Sequence, residues 1–191
     1  MSDKIYEFIT NISAPPIFSG FVIFLFVFYI PNGELSFFVE MLLSLIFASF
    51  LPLGIILISN KVGWTEYLHV PKRQNRTRIY FSIFFSYVLG AFTFWYFSTY
   101  PLFIMFVAYM IISLVLGTVN LFYKVSVHTA GIVAPVTVLS YVVSPVFSLL
   151  YFFLVPVYCS RYMLDAHSHK QLLCGIFIGF IVTLVVLYFF Y

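Results

Sequence analysis

Residues 35–59 read LSFFVEMLLSLIFASFLPLGIILIS, and this apolar run decides the fold class. A helix needs about 20 predominantly apolar residues to cross the hydrocarbon core of a membrane. The run exceeds that length and contains one charged residue, Glu40. Pro52 and Gly54 predict a kink in its second half. The stretch therefore predicts a membrane-spanning helix.

Apolar segments on both sides of this run predict further spans. They lie at roughly 16–31, 79–98, 101–122 and 171–191. Residues 130–158 are also apolar but are interrupted by Ser144-Pro145, so they form either two short spans or one long tilted helix. The chain is therefore expected to have seven spans, with six as the alternative.

The composition excludes a water-soluble protein. Of the 191 residues, 63% are hydrophobic and 8% are charged, whereas a soluble domain carries about a quarter charged residues. A soluble enzyme and a nucleic-acid-binding protein are both excluded on this ground. We expect residues 1–191 to form one all-α domain, a polytopic integral membrane helical bundle whose partner is the lipid bilayer. Its expected location is the cell membrane.

The positions of the basic residues favour seven spans over six. With seven spans, the polar stretches 1–14, 60–78, 123–129 and 159–170 lie on one side of the membrane, here called side A. All Lys and Arg residues then lie on side A: Lys4, Lys61, Lys72, Arg73, Arg76, Arg78, Lys124, Arg161 and Lys170. The positive-inside rule explains such a distribution and makes side A cytoplasmic. A basic site for a phosphorylated ligand is a second explanation, and the two are not exclusive.

Three polar clusters on side A contain the candidate functional residues. They cover residues 69–78, 124–131 and 160–171, and each stands beside a predicted span. We expect the second and third clusters to open helices, where free N–H groups and the helix dipole favour an anion. Ionisable residues at the membrane edge are costly, so these clusters are functional candidates.

The residue types in these clusters suit phosphoryl transfer without a metal ion. Arg and Lys side chains, Lys124 among them, can neutralise phosphate oxygens, and two histidines from separate clusters can act as nucleophile and general acid. Gln171 follows His167 by four residues, so on a helix it can bond the His167 ring. Asp165 is the only acid near these histidines. We therefore predict neither a metal ion nor another cofactor.

Two of the clusters resemble motifs of the type 2 phosphatidic acid phosphatase (PAP2) superfamily. The segment SRYMLDAHSHKQ, residues 160–171, resembles its third motif, Ser-Arg-x5-His-x3-Asp. The segment VSVH, residues 125–128, is similar to its second motif, Pro-Ser-Gly-His. The first motif, Lys-x6-Arg-Pro, is matched only loosely within residues 72–78. The resemblance covers roughly residues 60–191 and implies a core of the same kind.

The resemblance also implies roles for individual residues. His167 would be the nucleophile that becomes phosphorylated, and His128 would protonate the leaving group. Gln171 stands where the family has Asp, so it can orient the His167 ring but supplies no charge. Arg161 and Ser126 would bind phosphate. The first-motif residues form a pool of further phosphate ligands: Lys72, Arg73, Arg76 and Arg78.

The predicted function is therefore a metal-independent phosphatase for a lipid phosphate or a prenyl (di)phosphate, acting at the membrane interface through a phosphohistidine. The alternative is a membrane protein that binds or transports lipid phosphates with a degenerate, inactive site, since Gln171 replaces a charged residue. A haem-binding electron-transfer bundle is disfavoured, because all four histidines lie outside the centres of the predicted spans. The identity of the lipid and the oligomeric state stay open.

Overall fold

The computed structural model of the protein describes residues 2–30, 34–64 and 73–191. Within these ranges every regular element is a helix, so the all-α prediction is confirmed for them. Five segments are long and apolar enough to cross a membrane: Phe37–Lys61, Asn75–Tyr96, Tyr100–Val119, Pro145–Met163 and His169–Phe190. The pair Asp3–Ile12 and Pro15–Tyr29, bent by 52°, would make a sixth. These helices are compatible with a multi-pass membrane protein.

The helices of the described residues are numbered along the chain. They are α1 Ser2–Ile12, α2 Pro15–Tyr29, α3 Phe37–Leu45, α4 Leu51–Lys61, α5 Arg73–Tyr96, α6 Tyr100–Val119, α7 Val127–Val142, α8 Leu154–Met163 and α9 His169–Phe190. A π-helical turn at Ile46–Phe50 joins α3 to α4, and a 3₁₀ helix at Pro145–Phe153 leads into α8. Because Pro52 cannot donate an N–H to a carbonyl of the preceding turn, a locally widened turn just before it is expected.

The segment 130–158 is broken where the sequence predicts a break. Helix α7 ends at Val142, and the Ser144 hydroxyl accepts the backbone N–H of Val146 at 3.4 Å to start the 3₁₀ helix. Helix α7 has only 16 residues and is therefore shorter than the five long segments. Helix α5, by contrast, begins at Arg73, several residues before the apolar run that starts at residue 79. The polar residues 73–78 therefore belong to the same helix as the apolar run.

Hydrogen bonds between neighbouring helices define the end of the bundle that carries the site, here called the basic end. Where α6 ends and α5 begins, the Asn120 side-chain amide donates to the Thr77 hydroxyl at 3.0 Å. Where α1 ends and α8 ends, the Thr10 hydroxyl donates to the Ser160 hydroxyl at 3.4 Å. These bonds bring residues that are far apart in sequence to one end of the bundle.

A buried carboxyl group connects helices at the opposite end. Glu40, in the first turn of α3, is fully buried and accepts a hydrogen bond from the Thr99 hydroxyl at 3.1 Å. Thr99 precedes α6, and Ser98 beside it adopts a positive φ of 56°, which makes the turn between α5 and α6 tight. The acidic residue inside an apolar segment thus joins α3 to this turn.

Candidate functional site

One cavity at the basic end has a polar part and an apolar part. Its volume is about 110 Å³, measured as the space open to the centre of a water molecule. The polar part is formed by Arg76, His128, Arg161 and His167. The apolar part is formed by α5 and α6, with Ile79, Ile83 and Tyr87 on the first and Tyr109, Ile112 and Leu116 on the second, together with residues of α2, α4 and α7. The cavity is therefore shaped for an amphipathic molecule.

Arg161 is a buried cation with too few hydrogen-bond partners among the described residues. Its side chain is 4% exposed, and its Nε and Nη1 atoms are buried with no hydrogen-bond partner among the described residues. Burial of an unpaired charge costs several kcal/mol, so such a guanidinium is normally compensated by an anion. Among the described residues that line the cavity, none is acidic. An anionic ligand could supply the compensating charge.

The turn after α8 holds His167 beside Arg161. The backbone N–H groups of Ala166 and His167 both donate to the Arg161 carbonyl oxygen, at 3.1 and 3.2 Å. Asp165 adopts a left-handed φ of 48°, which allows the chain to reverse here. The third polar cluster was expected to open a helix, but Arg161 lies in the last turn of α8 and only His169 begins α9. That expectation is wrong for Ser160 and Arg161.

The first turn of α9 determines which nitrogen of His167 carries a proton. The Oε1 atom of Gln171 lies 3.1 Å from Nδ1 of His167 and also accepts the backbone N–H of Ser168 at 3.3 Å. An amide N–H can only donate, so the Gln171 atom that it reaches is the oxygen. The ring nitrogen Nδ1 must then be the donor to that oxygen. This leaves Nε2 of His167 with a lone pair.

Burial and nearby cations keep His167 neutral. The side chain is 4% exposed. Desolvation is the largest cause that lowers the pKa of His167, followed by the positive charges of Arg76, Arg161 and Lys124. The hydrogen bond that His167 donates to Gln171 raises the pKa, and the net result is a pKa of about 3. The pKa of Lys124 is also lowered, by burial and by the two arginines. His167 is therefore an unprotonated imidazole in a positive environment.

Contacts between α7 and α9 place His128 near His167. The backbone N–H of Ser126 donates to the Gln171 carbonyl oxygen at 3.2 Å. The Thr129 hydroxyl lies 3.1 Å from the Leu172 carbonyl oxygen and donates to it. His128 stands between these two anchors, is 5% exposed and lines the same cavity as His167. His128 on α7 and His167 in the turn before α9 thus line one cavity.

A glycine allows the two helices to approach this closely. A Cβ atom added at Gly175 of α9 would clash with the Ser126 carbonyl oxygen and with the Thr129 hydroxyl. One turn further along, a Cβ atom added at Gly179 would lie 3.0 Å from the Ala130 carbonyl oxygen. Small residues at such positions let helix backbones come into contact in membrane proteins. The close approach of α7 and α9 therefore depends on Gly175.

The structure separates the predicted first-motif pool. Arg76 is 9% exposed and lines the cavity. Arg78 is exposed, and its guanidinium lies over the Trp64 ring at 5.1 Å from the centroid, away from the cavity. Lys72 lies outside the described residues, and so does the side chain of Arg73. Of the two pool members whose side chains the structure describes, Arg76 lines the cavity and Arg78 does not.

Ser126 and Lys124 lie next to the cavity rather than in its wall. The Ser126 hydroxyl accepts the backbone N–H of Thr129 at 3.5 Å and so caps the start of α7. Lys124 is half-buried, close enough to influence His167 electrostatically. The first helical residue of α7, Val127, does line the cavity, and first-turn N–H groups have no intrahelical acceptor. Phosphate binding by Ser126 stays a prediction.

Tyr80 is a cavity residue that the sequence analysis missed. It is 7% exposed, lines the cavity and interacts electrostatically with Arg76 and Arg161. It follows Arg76 by four residues, which places it one helical turn further along the same face of α5. That spacing was the available signal, but it becomes informative only when Arg76 rather than Arg78 is known to face the cavity.

The described residues of the cavity are poorly suited to binding a metal ion. Among residues 2–30, 34–64 and 73–191, no group of three or more His, Cys, Asp or Glu residues could hold a metal ion. A pocket lined by two guanidinium groups also repels a divalent cation.

Comparison with protein-family models, curated proteins and solved structures gives no match to the chain. The function is therefore inferred from the cavity itself.

Proposed function

We propose that the protein is a phosphatase that removes phosphate from a membrane lipid without a metal ion. The observation that carries the proposal is the single cavity in which the buried guanidinium of Arg161, with unpaired Nε and Nη1 atoms, stands beside His128 and His167. Guanidinium groups bind phosphate oxygens in two-pronged fashion. The apolar wall of the same cavity suits a hydrocarbon chain. A lipid phosphate or prenyl (di)phosphate has both parts.

The first chemical step is attack by His167 on phosphorus. The hydrogen bond from Nδ1–H to Gln171 orients the ring and leaves the Nε2 lone pair available. As the P–N bond forms, the bond from phosphorus to the lipid oxygen breaks on the opposite side. His128 in its protonated form gives a proton to that oxygen. Arg161 and Arg76 stabilise the charge on the remaining phosphate oxygens.

The second step releases phosphate from the protein. Water attacks the phosphorus of phosphohistidine, the P–N bond breaks, and His128, now neutral, takes a proton from the water. His167 returns to its neutral form and inorganic phosphate leaves. Across the two steps His167 acts first as the nucleophile and then as the leaving group, while His128 on the opposite side of phosphorus acts first as the acid and then as the base. One imidazole on α7 and one in the turn before α9 meet this requirement, whereas His167 and the neighbouring His169 do not. The exposed ring of His169 instead stacks on Tyr162 with centroids 4.0 Å apart.

We propose further that the chain crosses the cell membrane seven times. Helix α7 would be the seventh, although it is shorter than the others. Two features support this assignment: its first residues meet α9 at the basic end, and eleven of its residues are buried by neighbouring helices. A short helix that is enclosed by protein needs less length than one that faces lipid. Side A of the membrane then corresponds to the basic end.

The arrangement of the site also favours kinship with the type 2 phosphatidic acid phosphatases. The second-motif and third-motif segments lie at adjacent helix ends, and one Arg of the first-motif pool reaches the same cavity. We propose a core of that type for residues 60–191. The departure at Gln171 is accommodated because a neutral amide oxygen still fixes the His167 tautomer.

The proposal is tested by phosphate release from purified protein in nanodiscs. Phosphatidate, prenyl phosphates and prenyl diphosphates are offered in turn, each with excess EDTA. The wild-type protein should release phosphate from at least one of them, and vanadate, which resembles five-coordinate phosphorus, should inhibit release. Arg161→Ala should abolish activity, and Lys61→Ala, at an exposed site, is the matched control. Activity that requires a divalent cation, or that survives in Arg161→Ala, would contradict the proposal.

A lipid-phosphate-binding or transport protein is the second candidate function. The neutral Gln171 beside His167 favours it, because an imidazolium that forms during phosphoryl transfer gains no charge compensation from this partner. This candidate predicts that lipid phosphates bind and that Arg161→Ala abolishes binding, while no phosphate is released under any condition. Binding without turnover in the same nanodisc assay would select it.

A further inference from the structure

We infer that the lipid bound in this cavity carries a single hydrocarbon chain, which occupies a channel closed by Tyr87 and Tyr109. The inference rests on the proposed function for the phosphate end and extends it to the tail. The channel has a polar end, a side wall, a width and a floor, and each of these is set by identifiable residues.

One face of α5 forms the side wall along the length of the channel. The cavity residues Arg76, Tyr80, Ile83 and Tyr87 follow each other at helical spacing and so lie on one stripe. At a rise of 1.5 Å per residue, the distance along the helix axis from Arg76 to Tyr87 is about 16 Å. The opposite wall of the channel is lined by α6 residues, namely Tyr109, Ile112 and Ser113. The apolar part is therefore deep and runs parallel to the helices.

The volume of the cavity limits the number of chains. The 110 Å³ is the space open to the centre of a water molecule, and spread evenly over about 16 Å it gives a cylinder about 3 Å wide. Adding the radius of a water molecule on each side gives a channel with an average width of about 6 Å. A hydrocarbon chain is about 4 Å thick, as the contact distance between carbon atoms shows, and two parallel chains need about 8 Å. One chain fits the channel and two do not.

Two tyrosine rings form the floor. The rings of Tyr87 and Tyr109 are in contact, with centroids 5.1 Å apart, and the side chains are 7% and 5% exposed. Behind them, Phe106 is fully buried and packs edge-on against the Tyr109 ring at 6.0 Å. Phe106 in turn stacks on Phe94 at 5.2 Å. Because the floor is backed by close-packed aromatic rings, a chain cannot continue past it without displacing core residues.

This geometry predicts two kinds of selectivity. Among single-chain phosphates, binding and turnover should improve as the chain lengthens until it reaches the tyrosine floor, and should then fall. Each methylene group that no longer fits costs roughly tenfold in kcat/KM. A diacyl lipid must leave one chain outside the channel, so it should be a poorer substrate than a single-chain phosphate of the same chain length.

The experiment uses the full-length protein in nanodiscs and two ladders of lipids, single-chain alkyl phosphates and diacyl phosphatidates of matched chain lengths. Tyr87→Ala should move the optimum to longer chains, and Ile83→Phe, which fills the channel partway down, should move it to shorter ones. Phe85→Ala changes a residue of α5 that is 64% exposed and serves as the control that leaves the optimum unchanged. Opposite shifts from two variants separate a tail channel from a general loss of stability.

The same ladders are offered to His167→Asn, with binding read by native mass spectrometry instead of turnover. If the wild-type protein hydrolyses no lipid phosphate, the phosphatase proposal fails, while a chain-length optimum in binding that moves in Tyr87→Ala still supports the channel. Equal kcat/KM and equal binding for single-chain and diacyl lipids would overturn the channel even with phosphatase activity intact. An optimum that does not move in Tyr87→Ala and Ile83→Phe would also overturn it.

Discussion

Replacing Gly175 with alanine tests whether the contact between α7 and α9 sets the position of the two histidines. The added methyl group would clash with the Ser126 carbonyl oxygen and with the Thr129 hydroxyl, next to His128 on the chain. To regain a contact distance of about 3.5 Å, the helices must separate by on the order of 1 Å. A misplacement of 1 Å in a catalytic group costs about 100-fold in rate. We expect a comparable fall in kcat.

The expected kinetic signature is specific to the chemical step. Arg161 lies on α8, and most of the apolar wall lies on α2, α4, α5 and α6, so lipid binding should persist and KM should change little. Activity is measured as phosphate release from a lipid phosphate in nanodiscs, and folding is checked by thermal unfolding. The control is Gly54→Ala, since no atom lies within 4 Å of a Cβ atom added there. A folded Gly175→Ala protein with the wild-type kcat would refute the reasoning.

The other predictions concern charge, orientation and pH. Arg161→Ala should lower kcat/KM by at least about 100-fold, because charge-assisted hydrogen bonds of about 1.5–3 kcal/mol each are lost, whereas the exposed-site variant Lys61→Ala should change it less than about fivefold. Gln171→Ala should slow phosphate release less than His167→Asn does, since water can partly replace a neutral orienting group; equal losses would contradict this. Because the pKa of His167 is lowered to about 3, the unfolded chain binds a proton that the folded chain does not bind between pH 6.5 and about 3. Ligand-free protein should therefore lose up to about 1.4 kcal/mol of unfolding free energy per unit fall in pH, and His167→Asn should flatten that slope in denaturant titrations.

Local sequence signals were sufficient for the long helices and for the break at Ser144-Pro145, but they did not predict helix α1. The apolar runs and the Ser144-Pro145 interruption predict the long segments and the end of α7 because hydrophobic length and proline act within a few residues. The four-residue spacing of His167 and Gln171 likewise predicts their hydrogen bond. Each of these features is decided by neighbours in sequence.

Features that depend on contacts between helices could not be predicted in the same way. Whether Arg76 or Arg78 faces the cavity depends on the rotation of α5 against α6, which is set by packing and by the Asn120–Thr77 bond. The place of Arg161 at a helix end rather than a helix start depends on the turn at Asp165, whose positive φ leaves no pattern in the sequence. The apolar channel is formed where α5 and α6 pack together with α2, α4 and α7.

Direct detection of a phosphoryl group on His167 tests the mechanism most closely. Purified wild-type protein is mixed with a labelled lipid phosphate in EDTA, quenched in alkali to preserve phosphohistidine, and analysed by peptide mass spectrometry. We expect a label on the peptide that contains His167, lost on acid treatment and absent from His167→Asn. Turnover of the lipid with no label on His167, or phosphate release by His167→Asn near the wild-type rate, would contradict it.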